Sequence, residues 1–148
     1  MRLSAKGRYA LAALVEIARQ TQRGEIVSLV SISERLGISK IFLEQTAALL
    51  KKSGIIKSTK GAKGGYQLTR EASRISALDV LASVENTLFE KADDTVFSQS
   101  PATEAALREK VFERLDKAIE ACLSSVTIQD LLECADRQNS AQAFMLNI

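Results

Sequence analysis

Apolar residues recur every three or four positions near the start of the chain, which predicts an amphipathic helix over residues 5–21. Ser4 stands in front of this helix as a candidate N-cap. The apolar positions are Tyr9, Ala10, Ala13, Leu14, Ile17 and Ala18. The polar segment 22–25 ends the helix, and Ile26-Val27 is predicted to form a short extended piece.

Two shorter helices are predicted next, over residues 29–36 and 40–52. Ser28 and Ser39 precede them as candidate N-caps, and Gly37 and Gly54 follow them as stops. Val30, Ile32 or Ser33, and Leu36 are expected to face inward in the first; Leu43, Ala47 and Leu50 form the stripe of the second. Two helices joined by a short turn that contains glycine have the layout of a helix-turn-helix.

A β-hairpin is predicted directly after the third helix. Residues 55–59 are rich in β-branched side chains and residues 66–69 alternate apolar and polar, so each is predicted to be a strand. The loop between them reads KGAKGGY, and such a loop can hold either nucleotide phosphates or a nucleic-acid backbone. The spacing of its glycines fits neither common nucleotide-binding motif, and a strand follows the loop instead of a helix. Both observations favour contact with a nucleic-acid backbone. A helix-turn-helix followed by a basic hairpin is a winged helix.

The second half of the chain is predicted to be helical around an acidic loop. Ser76 and Asp79 form a capping pair for a fourth helix, whose inward face is expected to be Leu78, Leu81, Val84 and Leu88. Ser100-Pro101 is predicted to cap and start one long helix that reaches Leu123, and Thr127 to cap a last short helix, IQDLLECAD.

The predicted fold is mainly α with a small β-hairpin: a winged helix-turn-helix plus a long C-terminal dimerisation helix. The expected divisions are a DNA-binding domain over residues 1–86, an acidic loop over 87–100, dimerisation helices over 101–136 and a C-terminal tail over 137–148. The long helix carries an apolar stripe that the winged helix is too small to cover, which predicts pairing with a second copy. The stripe is Leu107, Val111, Leu115, Ala118 and Cys122.

Composition excludes several kinds of chemistry. The chain contains no histidine, which removes Ser-His-Asp and Cys-His catalysis and histidine-ligated metals. Its two cysteines, Cys122 and Cys134, are too few for a structural zinc site or a cysteine-ligated cluster within one chain, and both are predicted to be core residues. We therefore predict no cofactor, no metal and no enzymatic activity. The longest apolar runs fall short of a membrane helix, and a cytoplasmic location is expected.

Charge is distributed unevenly along the chain. The net charge is +2, yet residues 1–70 hold thirteen Lys/Arg and four Asp/Glu, whereas residues 71–148 hold seven and fourteen. A basic half joined to an acidic half indicates that the first half meets a polyanion. On the third helix, Glu44 is the informative residue, because a carboxylate in a basic surface can accept a hydrogen bond from cytosine N4. A surface ion pair with Lys40 or Lys51 is the alternative role for Glu44.

Five segments occur in the order and spacing of one known family. They are MRLSAKGRYAL, ISERLGIS, FLEQ, LKKSG and KGAKGGYQL. By these segments the chain resembles the Rrf-type winged-helix transcriptional regulators, the family of IscR, NsrR and CymR, and it is most similar to the CymR-type repressors of cysteine metabolism. The resemblance implies a homodimeric repressor that binds a palindromic operator in double-stranded DNA. The family's iron–sulfur members carry three cysteines between the fourth helix and the long helix, but residues 87–103 contain none.

The resemblance also assigns roles to single residues. Glu44 corresponds to the family's base-reading glutamate, and Lys60 stands where the family usually has arginine, a change that keeps the charge but loses the planar guanidinium. Thr46 replaces a residue that is more often apolar. The predicted DNA-contacting set is Arg2, Lys6, Arg8, Ser28, Ser39, Lys40, Ile41, Glu44, Gln45, Lys51, Lys52, Lys60, Gly61, Lys63 and Gly64.

The C-terminal segment AFMLNI suggests a protein partner. It is similar to the end of CymR-type repressors and to the C-terminal peptide of serine acetyltransferase, which enters the active site of cysteine synthase. By this resemblance Asn147 and Ile148 are candidate docking residues for cysteine synthase; the alternative is that Phe144, Met145 and Ile148 pack on the dimer. A regulator of the same fold that senses a small ligand or a redox signal is the other alternative.

Overall fold

The computed structural model describes residues 3–147, in which seven α-helices accompany one antiparallel hairpin. The first half contains α1 (Ala5–Gln22), α2 (Leu29–Leu36), α3 (Lys40–Lys52), β1 (Ile56–Thr59) and β2 (Gly65–Leu68). The second half contains α4 (Ala77–Val84), α5 (Pro101–Leu107), α6 (Glu113–Ser124) and α7 (Ile128–Leu146), after a short 3₁₀ turn at Ala72–Arg74. The predicted fold class is confirmed: a mainly helical chain with a two-stranded sheet and a long C-terminal helix.

Side-chain caps determine where most of the helices begin. The hydroxyl of Ser4 accepts from the backbone N–H of Gly7 at 3.0 Å, and that of Ser28 accepts from Ser31 at 3.2 Å. Ser76 and Asp79 form the predicted reciprocal capping box, with both bonds at 3.0 Å. These bonds satisfy N–H groups that have no partner inside the helix.

Ser39 and Ser100 occupy the predicted N-cap positions, but neither makes a side-chain capping bond. The hydroxyl of Ser100 instead donates to Thr103 Oγ1 at 2.7 Å, and the helix starts at Pro101 without it. Proline fixes the backbone angle that the first helical residue needs, so this start does not require a side-chain cap.

A single core lies between α1 and the elements that pack on it. Its fully buried side chains come from both halves of the chain: Leu14, Ile17, Ile32, Leu43, Leu50, Ile56, Ile75, Leu81 and Ile128. Val30, predicted to face inward, is exposed, because α2 turns only Ile32 fully into the core. On α4 the buried face is Ala77, Val80, Leu81 and Val84, so the predicted face was rotated, and Leu78 is half-buried.

The predicted long helix is present but contains a π-helical segment. Arg108–Phe112 joins α5 to α6 without a break, and the helical run ends at Ser124. A π turn contains one residue more than an α-helical turn. The residues after it are therefore rotated back around the helix axis by about 100°, the angle of one α-helical residue. Eight residues of ideal α-helix would separate Leu107 and Leu115 by about 80° around the axis. The π segment reduces this offset to about 20° of the opposite sign, which brings both residues onto one stripe.

The last helix is longer than predicted. It begins at the expected Thr127 cap, but runs to Leu146 instead of ending near Asp136. Ile128 and Leu132 are buried against the core, whereas residues 136–147 are all exposed. Cys122 and Cys134 are exposed as well, so the prediction that they are core residues is wrong for the single chain. Their helical stripes continue beyond the area that the winged helix covers.

Candidate nucleic-acid interface

The solvent-facing side of α3 is the centre of the candidate interface. Leu43, Thr46, Ala47 and Leu50 anchor the helix in the core, and this fixes which side chains point outward. Every candidate on α3 is exposed: Lys40, Ile41, Glu44, Gln45, Lys51 and Lys52. Ile41 is a large apolar side chain that is 68% exposed. In a major groove, such a side chain could contact a thymine methyl group.

Phe42 is a surface residue that the sequence reasoning missed. It is half exposed, and its ring meets that of Tyr9 from α1 edge to face, with centroids 5.9 Å apart. Its backbone carbonyl accepts from Thr46 Oγ1 at 2.8 Å, which satisfies the hydroxyl of a residue that is only 1% exposed. The departure from the family pattern at Thr46 is therefore accommodated within α3 itself. Phe42 does not belong to the inward stripe of α3, formed by Leu43, Ala47 and Leu50, and this already indicates that it is exposed.

The hairpin forms a short wing whose tip is basic. Ile56 pairs with Leu68, and Thr59 with Gly65. At the tip, Gly61 has φ of +110°, a conformation that side chains with a Cβ rarely adopt, and its carbonyl accepts from Gly64 N at 3.0 Å. Lys60 and Lys63 are exposed on either side of this turn. The strand that follows the glycines confirms a hairpin and contradicts a nucleotide-binding loop.

A third extended segment, whose pairing the sequence did not reveal, supports the wing. Val27 exchanges two backbone bonds with Tyr66: Val27 N donates at 3.1 Å and Tyr66 N at 2.8 Å. Gly65 lies so close to this segment that an ideal Cβ on it would be 2.3 Å from the carbonyl oxygen of Val27. Only glycine, which has no Cβ, therefore fits at position 65 without a steric clash.

The remaining DNA-contact candidates differ in their surroundings. Arg8 and Ser39 are exposed, whereas Lys6 and Ser28 are half-buried, and Ser28 is committed to capping α2. Arg2 lies outside the described residues. The structure thus exposes basic side chains on α3 and at the wing tip, with Arg8 on α1 as a further exposed cation.

A polar cleft of about 400 Å³ separates the start of α2 from the wing tip. Its lining includes Ser28, Arg35 and Lys63, together with the buried Gln20. Gln20 carries no signal in the sequence, because it interrupts no apolar stripe and belongs to no motif.

The C-terminal helices show where a ligand or partner could attach. The predicted stripe is open to solvent at Val111, Leu115, Ala118 and Cys122, and half-covered at Leu107. Within residues 3–147, no cluster of three or more Asp, Glu, Cys or His side chains has the arrangement of a metal site. No helix in this range is long and apolar enough to cross a membrane.

Glu104, which sequence reasoning also missed, organises the acidic loop in front of α5. Its side chain is 2% exposed, and Oε2 accepts from the backbone N–H groups of Thr95 and Val96 at 2.9 and 2.8 Å. Nη2 of Arg108 lies 3.6 Å from Oε1 and donates to Asp94 at 2.7 Å. The loop is therefore tied to α5 by hydrogen bonds.

Residues 3–134 match the model of the Rrf2 family, described as iron-dependent transcriptional regulators. The chain belongs to the Rrf2 family. IscR from Yersinia enterocolitica is 37% identical over 149 residues, which cover 95% of this chain and 88% of that protein. These relatives are transcriptional regulators and not enzymes, so the chain is a DNA-binding transcriptional regulator.

Solved structures of Rrf2 proteins share the fold. IscR of T. potens is 36% identical with a TM-score of 0.72, over 91% of this chain and 88% of that one. CymR of B. subtilis, described as its global cysteine regulator, is 32% identical with a TM-score of 0.73, over 90% of this chain and 97% of that one. The predicted resemblance to Rrf-type regulators, CymR included, is confirmed.

Proposed function

We propose that this Rrf2 protein is a cytoplasmic homodimer that represses transcription by occupying a palindromic operator. The observation that carries the proposal is the pairing of an exposed, basic α3 surface with a lysine-tipped wing in the half of the chain that has the positive charge. Phosphate contacts from lysines supply affinity, and side chains at the start of α3 supply base recognition. In a two-fold dimer, two copies of α3 meet half-sites about one DNA turn apart.

The exposed surface of the single chain supports a dimer. The chain exposes 9768 Å², whereas a compact monomer of its mass exposes about 7,400 Å². The excess of roughly 2,300 Å² per chain, or about 4,700 Å² for two copies, is within the total area that permanent homodimers bury. The stripe aligned by the π segment is the surface that a second copy would cover. The divisions at residues 86 and 100 remain our proposed boundaries, whereas the one at 136 falls inside α7.

Selection from a random duplex pool, followed by salt-dependent binding, tests DNA recognition. The selected sites should be palindromic, and Lys60→Ala with Lys63→Ala should weaken binding to every duplex and lower the slope of log K against log salt by about 1 per lysine. Lys91→Ala with Lys110→Ala, which removes the same charge from the acidic half, serves as the control. Equal salt slopes for the two double variants would refute the wing contact.

Cysteine metabolism, with cysteine synthase as a corepressor partner, is the finer proposal. It is supported by the similarity to CymR and by the apolar end of α7, where Phe144, Met145 and Leu146 are all exposed. Asn147 would then lie at the mouth of the enzyme's active site; Ile148 lies outside the described residues. A pull-down with cysteine synthase should retain the intact chain and lose a chain without Ile148. Equal retention would exclude docking through the terminus.

Redox sensing is the second candidate, because the thiols of Cys122 and Cys134 are both exposed in the single chain, although Cys122 lies on the stripe that a second copy would cover. Oxidant should then change operator affinity in the intact chain, and Cys122→Ser with Cys134→Ser should abolish the change. If oxidant leaves operator affinity unchanged, a small ligand is the remaining signal, for which a cavity of about 550 Å³ lies between α1, the end of β2 and Gln129.

A further inference from the structure

Gln20 is a buried amide between two opposite charges. It lies near the end of α1 and is only 5% exposed. With its amide oriented to suit both neighbours, Nε2 donates to Glu25 Oε2 at 2.6 Å and Oε1 accepts from Arg35 Nη1 at 3.0 Å. A carboxylate can only accept and a guanidinium can only donate, so this amide has one satisfactory orientation.

The two neighbours of Gln20 belong to the two parts of the candidate interface. Arg35 is on α2, the first helix of the helix-turn-helix, and its Nη1 also donates to Glu16 at 3.2 Å. Glu25 precedes the extended segment that pairs with the wing, and its backbone carbonyl accepts from Gln67 Nε2 of β2 at 3.3 Å. Gln20 therefore connects the helix-turn-helix to the wing across the polar cleft.

The connection matters because both parts must meet DNA at the same time. Phosphates are fixed in space by the duplex, so an element that shifts by about 1 Å loses contacts that the other element cannot replace. Glu25 is exposed and Arg35 keeps Glu16 as a partner, so water can solvate both if the amide is lost. Removal of the amide should thus loosen the link between the wing and α2 without unfolding the core.

The geometry points to Gln20 as a positioning residue, which holds the wing at the spacing from α3 that DNA requires. This inference rests on the proposed operator interface. Gln20 itself touches neither DNA element; it acts through Glu25 and Arg35. Because of Gln20, the wing that carries Lys60 and Lys63 forms one rigid unit with α3, and both meet DNA in a fixed arrangement.

A double-mutant cycle on selected operator DNA tests the role. Gln20→Met keeps the length of the side chain and removes the amide, and it should lower the salt slope toward that of Lys60→Ala with Lys63→Ala, whose expected loss is about 1 per lysine. Adding the lysine substitutions to Gln20→Met should then cost less affinity than they cost in the native chain. Gln22→Met, on the same helix but outside the cleft, should leave the effect of the lysine substitutions intact.

An exchange of the hydrogen-bonding groups provides a second test that does not depend on the first variant folding. Gln20→Glu places two carboxylates together and should reduce operator affinity. Gln20→Glu combined with Glu25→Gln restores a donor facing an acceptor, and should recover the affinity and the salt slope. Absence of recovery, or full additivity with the lysine substitutions, would overturn the positioning role. If the lysine substitutions themselves have no effect, the proposed wing contact falls, and the positioning role with it.

Discussion

The carboxylate of Glu44 lies 3.8 Å from Nζ of Lys40, one turn earlier on the exposed side of α3. Both side chains are more than half exposed, so this ion pair contributes little to stability and can separate when DNA approaches. The surface ion pair that was the alternative role for Glu44 is therefore present in the free chain, and it is compatible with base recognition in the complex.

Glu44→Ala should relax base preference while the protein stays folded. We expect a loss of about 1–3 kcal/mol of discrimination at one base pair of each half-site, since a cytosine N4 amino group would lose its acceptor. Competition between operator duplexes that differ at single positions measures this loss. Glu34→Ala, which removes an exposed carboxylate from α2, is the control. An unchanged base preference in Glu44→Ala would show that Glu44 does not read bases.

Gly65→Ala should destabilise the wing. The added Cβ would meet the carbonyl oxygen of Val27, a backbone atom that cannot move without breaking its pairing with Tyr66. Overpacking of this kind costs about 1–3 kcal/mol in the free energy of unfolding. Thermal denaturation measures it, and Ala62→Ser, which adds one atom at the exposed tip, should leave the midpoint unchanged. Equal midpoints would mean that the wing adjusts freely.

Leu115→Glu should convert the proposed dimer to monomers. Leu115 is 55% exposed in the single chain, at the middle of the stripe, so a second copy would bury the introduced charge. Sedimentation should show half the mass and operator binding should weaken. Lys117→Glu introduces the same side chain on the opposite side of α6 and should remain dimeric. A dimeric Leu115→Glu would place the interface elsewhere.

Glu104→Ala should loosen the acidic loop. It leaves the backbone N–H groups of Thr95 and Val96 without their acceptor, at a cost of roughly 1–3 kcal/mol. Glu104→Gln keeps one carbonyl oxygen that can accept both bonds, so it should retain most of the stability. Amide hydrogen exchange at residues 95 and 96 distinguishes the two variants. Equal protection in both would show that the loop is held by other contacts.

The start of α7 should weaken in acid. Hydrogen bonds from the backbone N–H and the hydroxyl of Thr127 lower the pKa of Asp130 below its ordinary value. A carboxyl whose pKa is lower in the folded state stabilises the fold above its unfolded pKa, and this contribution disappears as pH falls through the folded value. Denaturation of Asp130→Asn should therefore depend less on pH below about 4 than that of the native chain. An identical acid response in both would rule out this contribution.

The sequence by itself determined the local structure and the family. Caps at Ser4, Ser28, Ser76 and Thr127, together with apolar spacing, located the helix starts, because these signals act within one or two turns. Glycines and β-branched residues specified the hairpin for the same reason. The outward residues of α3 followed from its inward stripe, since a helix has a fixed period.

Other features follow only from how the chain folds back on itself. Val27 supports the wing, Gln20 joins Glu25 to Arg35, and Glu104 holds the loop before α5; these hydrogen bonds join elements or loops whose relative positions no helix or strand period predicts. The exposure of Cys122 and Cys134 was decided in the same way. An apolar stripe shows only that a helix has a face to cover, whereas the arrangement of the other helices determines whether the same chain covers it.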